Sequence, residues 1–166
     1  MLVVATGCEP SESTLVIDVV SDFRPGTEAD SVEVSLADPE RTLSTRLTEL
    51  SPLRDGVRAG TFEDLDSGRS ALLVVSLRRA GALVAERSVR VLWRGPTTVV
   101  TVVITRDCRG VICPADGGDP NATACLGGTC VDPRCSPEQP EFCPDLCGRG
   151  CEPPDVACAD ARCDFG

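Results

Sequence analysis

The chain carries eleven cysteines, and ten of them fall in the 56 residues from Cys108 to Cys163, with Cys8 alone near the start. So short a stretch cannot bury a large apolar core, and its Pro, Gly and Asp content ends any hydrophobic periodicity. An even set of closely spaced thiols instead predicts covalent stapling. Cys108, Cys113, Cys125, Cys130, Cys135, Cys143, Cys147, Cys151, Cys158 and Cys163 are expected to form five disulfides, of on the order of a thousand possible pairings. A metal site would favour paired C-x2-C knuckles, often with histidine. The spacings here run C-x4-C-x11-C-x4-C-x4-C-x7-C-x3-C-x3-C-x6-C-x4-C, and the chain has no histidine. No metal and no cofactor are expected. Disulfides in turn point to an oxidising compartment.

The apolar core must then lie upstream. Residues 14–107 contain short apolar runs separated by Gly, Pro and Asp, several alternating with the period of two that a half-buried strand requires. In Ser31–Ala37, Val32, Val34 and Leu36 are expected to face inward and Ser31, Glu33 and Ser35 to face water. Leu15, Ile17 and Val19 form a similar set. Ala71–Leu77, the turn Arg79-Ala80-Gly81-Ala82 and Leu83–Trp93 predict a hairpin with Val89, Val91 and Trp93 on one face, its arginines 78 and 79 exposed. Thr97–Thr105 supplies a last strand after the turn Arg94-Gly95-Pro96, and weaker strands are expected at Arg41–Leu47 and Val57–Phe62. Seven strands in about ninety residues without a helical period predict a mainly β fold, an antiparallel β-sandwich followed by a small, loop-dominated disulfide module. The expected division is 1–13 as leader remnant and tether, 14–107 as sandwich and 108–166 as cysteine-rich module.

The formal charge is −10, with 16 acids against 12 arginines in residues 1–107 and 10 against 4 in the remainder. An acid excess in both halves argues against nucleic acid as a partner. Every basic residue is arginine, and lysine, histidine and tyrosine are absent. That removes the common Ser/His and Cys/His dyads and lysine Schiff bases, so a non-catalytic role is expected. Glu63, Asp64 and Asp66 crowd one stretch that could suit a hard cation or, with a cleft, acid catalysis, although an acidic turn is ordinarily solvated. Asp116–Pro120 is expected to be a turn-rich loop, and Asn121-Ala122-Thr123 fits a glycosylation sequon.

Leu2-Val3-Val4-Ala5-Thr6-Gly7-Cys8 resembles the end of a bacterial lipoprotein signal peptide, though without its positive and long apolar regions. The resemblance implies that Cys8 carries lipid and that a membrane is a partner through this anchor. Otherwise Cys8 is a free thiol behind a short edge strand, or pairs with another cysteine. The stretch Gly60–Gly68 followed by Leu72-Leu73-Val74-Val75 resembles carboxypeptidase-regulatory-like and transthyretin-like modules, and an immunoglobulin-like sandwich would read the same way. Ala124–Cys135 resembles the small modules of secreted proteins, EGF-like ones among them, but lacks their Cys-x-Cys step. Together these imply a lipid-anchored protein of the bacterial cell envelope, at the outer membrane or cell surface, with an adhesive, recognition or structural role toward a protein or polysaccharide ligand. A secreted inhibitor or toxin-like module and an accessory domain of a secreted enzyme are the alternatives.

Overall fold

A computed structural model describes residues 12–136 and 139–144. Seven strands form two facing sheets: β1 (Glu12–Ser21), β2 (Ser31–Ala37), β3 (Glu40–Arg46), β4 (Val57–Asp66), β5 (Ser70–Arg79), β6 (Ala82–Leu92) and β7 (Thr97–Ile104). One sheet runs β4-β1-β7 and the other β3-β2-β5-β6. A 3-10 turn at Arg106–Cys108 then leads to a short hairpin of β8 (Ala124–Leu126) and β9 (Thr129–Val131). The fold is thus mainly β with a disulfide-bonded C-terminal region.

Alternation places the core. Val32, Val34 and Leu36 of β2 are buried, as are Leu15, Ile17 and Val19 of β1 and Leu73, Val75 and Leu77 of β5, and they meet between the sheets. Ser31, Glu33 and Ser35 are half-buried because β2 is an inner strand. Trp93 closes one end of the core, 1% exposed, with its indole N–H donated to the Asp66 carbonyl at 2.7 Å. The β5–β6 hairpin turns through Ala80 and Gly81, both at positive φ. That conformation is unusual for alanine, and Asp30 supports it by accepting the Ala80 N–H at 2.7 Å. Arg78 is not freely exposed as expected. It pairs with Glu33 at 2.9 Å and donates to the Gly81 carbonyl at 3.1 Å.

Two further features depart from the sequence reading. The β1–β7 ladder is parallel, from Thr14 opposite Thr97 to Ser21 opposite Ile104, while every other ladder is antiparallel. Side-chain alternation reports which face is buried and is silent about strand direction. Second, β4 runs on to Asp66 instead of ending at Phe62. Its ladder with β1 is interrupted between Ser13 and Leu15 and between Ile17 and Asp18, so the buried residues Ala59, Phe62 and Leu65 recur every third position. The extra residues break the period of two, and Asp64, at φ 56°, sits in one irregularity. Between the sheets at this side Gly60 lies under Leu43. A Cβ at Gly60 would come within 2.9 Å of the Leu43 Cδ1 atom.

Candidate functional site

The C-terminal region is fastened to the sandwich at β6, an outer strand of the four-stranded sheet. Cys108 bonds Cys125, Cys113 bonds Cys130 and Cys135 bonds Cys143. The first two link residues 17 apart, and a loop of that size contributes about 3 kcal/mol by restricting the unfolded chain. Cys108 and Cys125 are buried in the same core as the two sheets, with Val111 and Cys113 packed beside them. Ala124, Leu126, Val131 and Cys135 make a small core of their own. Cys8, Cys147, Cys151, Cys158 and Cys163 lie outside the described residues.

Two backbone hydrogen bonds mark where this region meets the free edge of β6. Pro133 accepts the Arg90 N–H at 2.7 Å, and Gly110 donates to the Val84 carbonyl at 3.3 Å. Backbone groups two residues apart on a strand face the same way, so those of Glu86 and Ser88, between the two bonded positions, also face this edge. Among the described residues neither has a backbone partner there. The space above them is a groove of about 290 Å³. Leu83 and Val84 of β6 line it together with Val111, Ile112, Cys113 and Cys125 of the disulfide region. Ile112 is 84% exposed and Leu83 54% exposed, so the rim is apolar and open to water. A hydrogen bond from Ser76 at 2.6 Å holds Glu86, the acidic side chain of the groove.

The lower attachment is ionic. Glu28 receives the guanidinium of Arg106, that of Arg109 at 2.9 Å and the Arg24 N–H at 2.8 Å. Both arginines also lie over the Phe23 ring, at 5.9 and 4.9 Å from its centre. The Arg106 hydrogen bond, then the Arg24 amide, hold the Glu28 carboxyl down at about 2 against its ordinary 4.5. Asp22 adds a bond from the Arg106 N–H at 2.8 Å. Farther along, Arg134 grips Asp132 through two hydrogen bonds and covers Phe142 at 3.8 Å, and it lowers the Asp132 carboxyl by the same mechanism.

Arg87 of β6 pairs with the core residue Val75 and therefore points inward. Its guanidinium crosses to β7, donating to the Val103 carbonyl at 2.8 Å, and burial pushes its pKa down. Its Nε atom has no partner.

The acidic stretch gathers nothing. Among the described residues no three acidic or cysteine side chains are arranged to hold a metal ion. Asp66 pairs with Arg69 at 3.4 Å, the Glu63 carbonyl receives Arg41, and all three acids are exposed on strand β4 instead of lying in the expected turn. Asp119 caps its own loop, accepting the Asn121 backbone and side-chain N–H groups at 2.9 and 3.1 Å.

Nothing in the sequence pattern marks the groove residues Leu83, Val84, Val111 and Ile112 or the clamp at Glu28 as a site. Ile112 stands in a Cys-rich stretch where hydrophobic pattern carries no information, and the two arginine side chains that hold Glu28 are about eighty residues away. Among the described residues no helix is long and apolar enough to cross a membrane. No protein-family model matches the chain, and none of the curated proteins matches it.

Proposed function

We propose that the protein is a non-catalytic recognition module of the bacterial cell exterior, held to a membrane by acyl chains on Cys8, whose groove beside β6 receives an extended apolar segment of a protein partner. The observation that carries the reading is the groove itself. It offers two peptide units of β6, at Glu86 and Ser88, that have no backbone partner among the described residues and lie among apolar lining residues. An extended peptide can satisfy such groups by adding a strand while its side chains enter the walls. Two disulfides contribute Cys113 and Cys125 to those walls, so little ordering is required on binding. Among the described residues a polysaccharide partner is less well served, because Trp93, Phe23 and Phe62 are buried and the half-buried ring of Phe142 is covered by Arg134. The disulfides also support an oxidising location. Acyl chains on Cys8 would anchor the chain stably, since each buried methylene contributes about 0.8 kcal/mol.

Panning a displayed library of extended peptides against the oxidised full chain tests the groove. Selected peptides should carry apolar residues and lose at least about tenfold in affinity for Ile112→Asp or Leu83→Asp, the cost of placing a charge against an apolar side chain. Peptides that bind both variants unchanged would place recognition elsewhere. Intact-mass measurement on membrane and soluble fractions, with and without reduction, tests the anchor. An acylated Cys8 in the membrane fraction is expected, and an unmodified chain found only in the soluble fraction would favour a secreted inhibitor-like module instead.

A further inference from the structure

We propose that β7 is a self-association edge, at which two copies of this chain pair antiparallel about Val99. A sandwich of this order has four outer strands, β3, β4, β6 and β7. Exposed edges invite pairing with another chain, and charge, bulges or a cover ordinarily block it. Three of the four are blocked. β3 carries Glu40, Arg41 and Arg46 in seven residues. β4 carries Arg58, Glu63, Asp64 and Asp66, its ladder is irregular, and its Ala59 and Glu63 carbonyls are taken by Thr45 at 2.7 Å and Arg41 at 2.5 Å. β6 carries Glu86, Arg87 and Arg90 and is partly covered by the disulfide region. β7, Thr-Thr-Val-Val-Thr-Val-Val-Ile, has no charge, no proline and no irregularity in its ladder.

The parity of its backbone groups follows from two hydrogen bonds. Thr14 donates to the Pro96 carbonyl, so even-numbered groups of β7 face β1. Arg87 reaches the Val103 carbonyl from the other side, which places the odd-numbered groups on the outer edge. Val103 is thereby used, and the N–H and C=O groups of Thr97, Val99 and Thr101 remain without partners among the described residues.

These three residues fix the occupant. A strand pairing with its own copy across a two-fold axis is self-complementary when the axis falls on one residue. With the axis at Val99, Val99 faces Val99 and Thr97 faces Thr101, using only the unpartnered groups. Opposed valines and threonines are favourable cross-strand pairs. All three side chains are exposed, Val99 at 58%, and beside Val99 the outward face continues into Val16. The charge of the chain selects the same edge. At −10, two copies repel in general, and β7 is the outer strand on which no like charges are brought together. In this register Arg94 of one copy lies opposite Ile104 of the other, not opposite a second arginine.

Sedimentation equilibrium on the oxidised full chain, across a wide concentration range, is the test. A monomer–dimer equilibrium is expected. Val99→Lys should weaken it by more than about tenfold, since it sets like charges directly opposite. An equimolar mixture of Val99→Lys and Val99→Glu should restore dimers. Register is read by Thr97→Lys with Thr101→Glu, which should dimerise, against Thr97→Lys with Thr101→Lys, which should not. Circular dichroism confirms that each exposed-site variant is folded. A chain that stays monomeric at every concentration, as when another segment of the same chain covers the edge, would overturn the proposal. So would a dimer indifferent to Val99→Lys.

Discussion

β6 and β7 end their sheets side by side, and the chain treats their outer edges in opposite ways. β6 carries Glu86, Arg87 and Arg90 among its apolar side chains, and a disulfide-bonded region is bonded to its backbone at Arg90 and Val84. β7 is neutral throughout and receives a single arginine from its neighbour. The difference shows that protection in this fold is assigned strand by strand. A charged edge tolerates a cover that leaves a gap, because its own side chains discourage continuous pairing at that gap. The gap at Glu86 and Ser88 can then admit a short segment and still exclude a whole sheet. A neutral edge has no such device, so whatever pairs with β7 can do so along several consecutive residues.

The sharpest way to break the comparison is to remove the cover from β6. Replacing Cys108 and Cys125 together by alanine should lower stability by about 3 kcal/mol from the lost cross-link alone, read from denaturant midpoints under oxidising conditions. If the disulfide region is a cover laid on a finished sandwich, hydrogen exchange at the Arg90 and Gly110 amides should speed up while the β7 amides bonded to β1 keep their protection. Equal loss at both strands would mean that the region is part of one cooperative core. The burial of Cys108 and Cys125 among the sheet residues makes that second outcome a serious test.

A smaller effect is expected at the seam between the two strands. Arg87→Met keeps most of the buried stem but removes the donor to the Val103 carbonyl. Leaving a fully buried acceptor unsatisfied costs about 1–3 kcal/mol, and the Val103 carbonyl is only partly buried. Against this, the guanidinium is itself buried with one nitrogen unpartnered, so its removal returns some desolvation energy. The net loss should therefore fall at the low end of that range, measured as a midpoint shift at constant m-value. A more stable variant would mean that Arg87 is kept for joining β6 to β7 and not for stability.

How far the sequence discloses these edges depends on what each leaves in the pattern. Val32, Val34 and Leu36, and the hairpin through Ala80 and Gly81, are legible because alternation and turn chemistry act over a few neighbouring residues. β7 is legible as a strand but not as an edge, since its parallel partner β1 is some eighty positions away. The last third of β4 is hidden by its own irregularities. Arg87 leaves a faint trace, as a charge at an inward position between Ala85 and Val89 on the very face read from Val89 and Val91. The even thiol count predicts bridges without pairings. Which cysteines meet is decided by where Cys108 and Cys125 enter the core, and that is a property of the folded sheets.

The smallest effect concerns the ionic attachment that follows β7. Glu28 is depressed to about 2 from 4.5 by Arg106 first and the Arg24 amide second. A depressed carboxylate contributes stability that is fully present above its unfolded pKa and is lost as pH falls toward its folded one. Glu28→Gln should therefore be less stable than the native chain at neutral pH. The gap should narrow as pH falls below about 4.5 and nearly close by about pH 2. Urea midpoints at several pH values measure it, and added salt should reduce the gap because the pair is partly exposed. A gap that is constant with pH would assign Glu28 a role independent of its charge. Because Arg106 and Arg109 open the disulfide region, the loss at neutral pH should first appear as faster exchange at the Gly110 amide, while the β7 amides facing β1 remain protected. The attachment thus belongs to the cover on β6, even though Arg106 lies two residues beyond the end of β7.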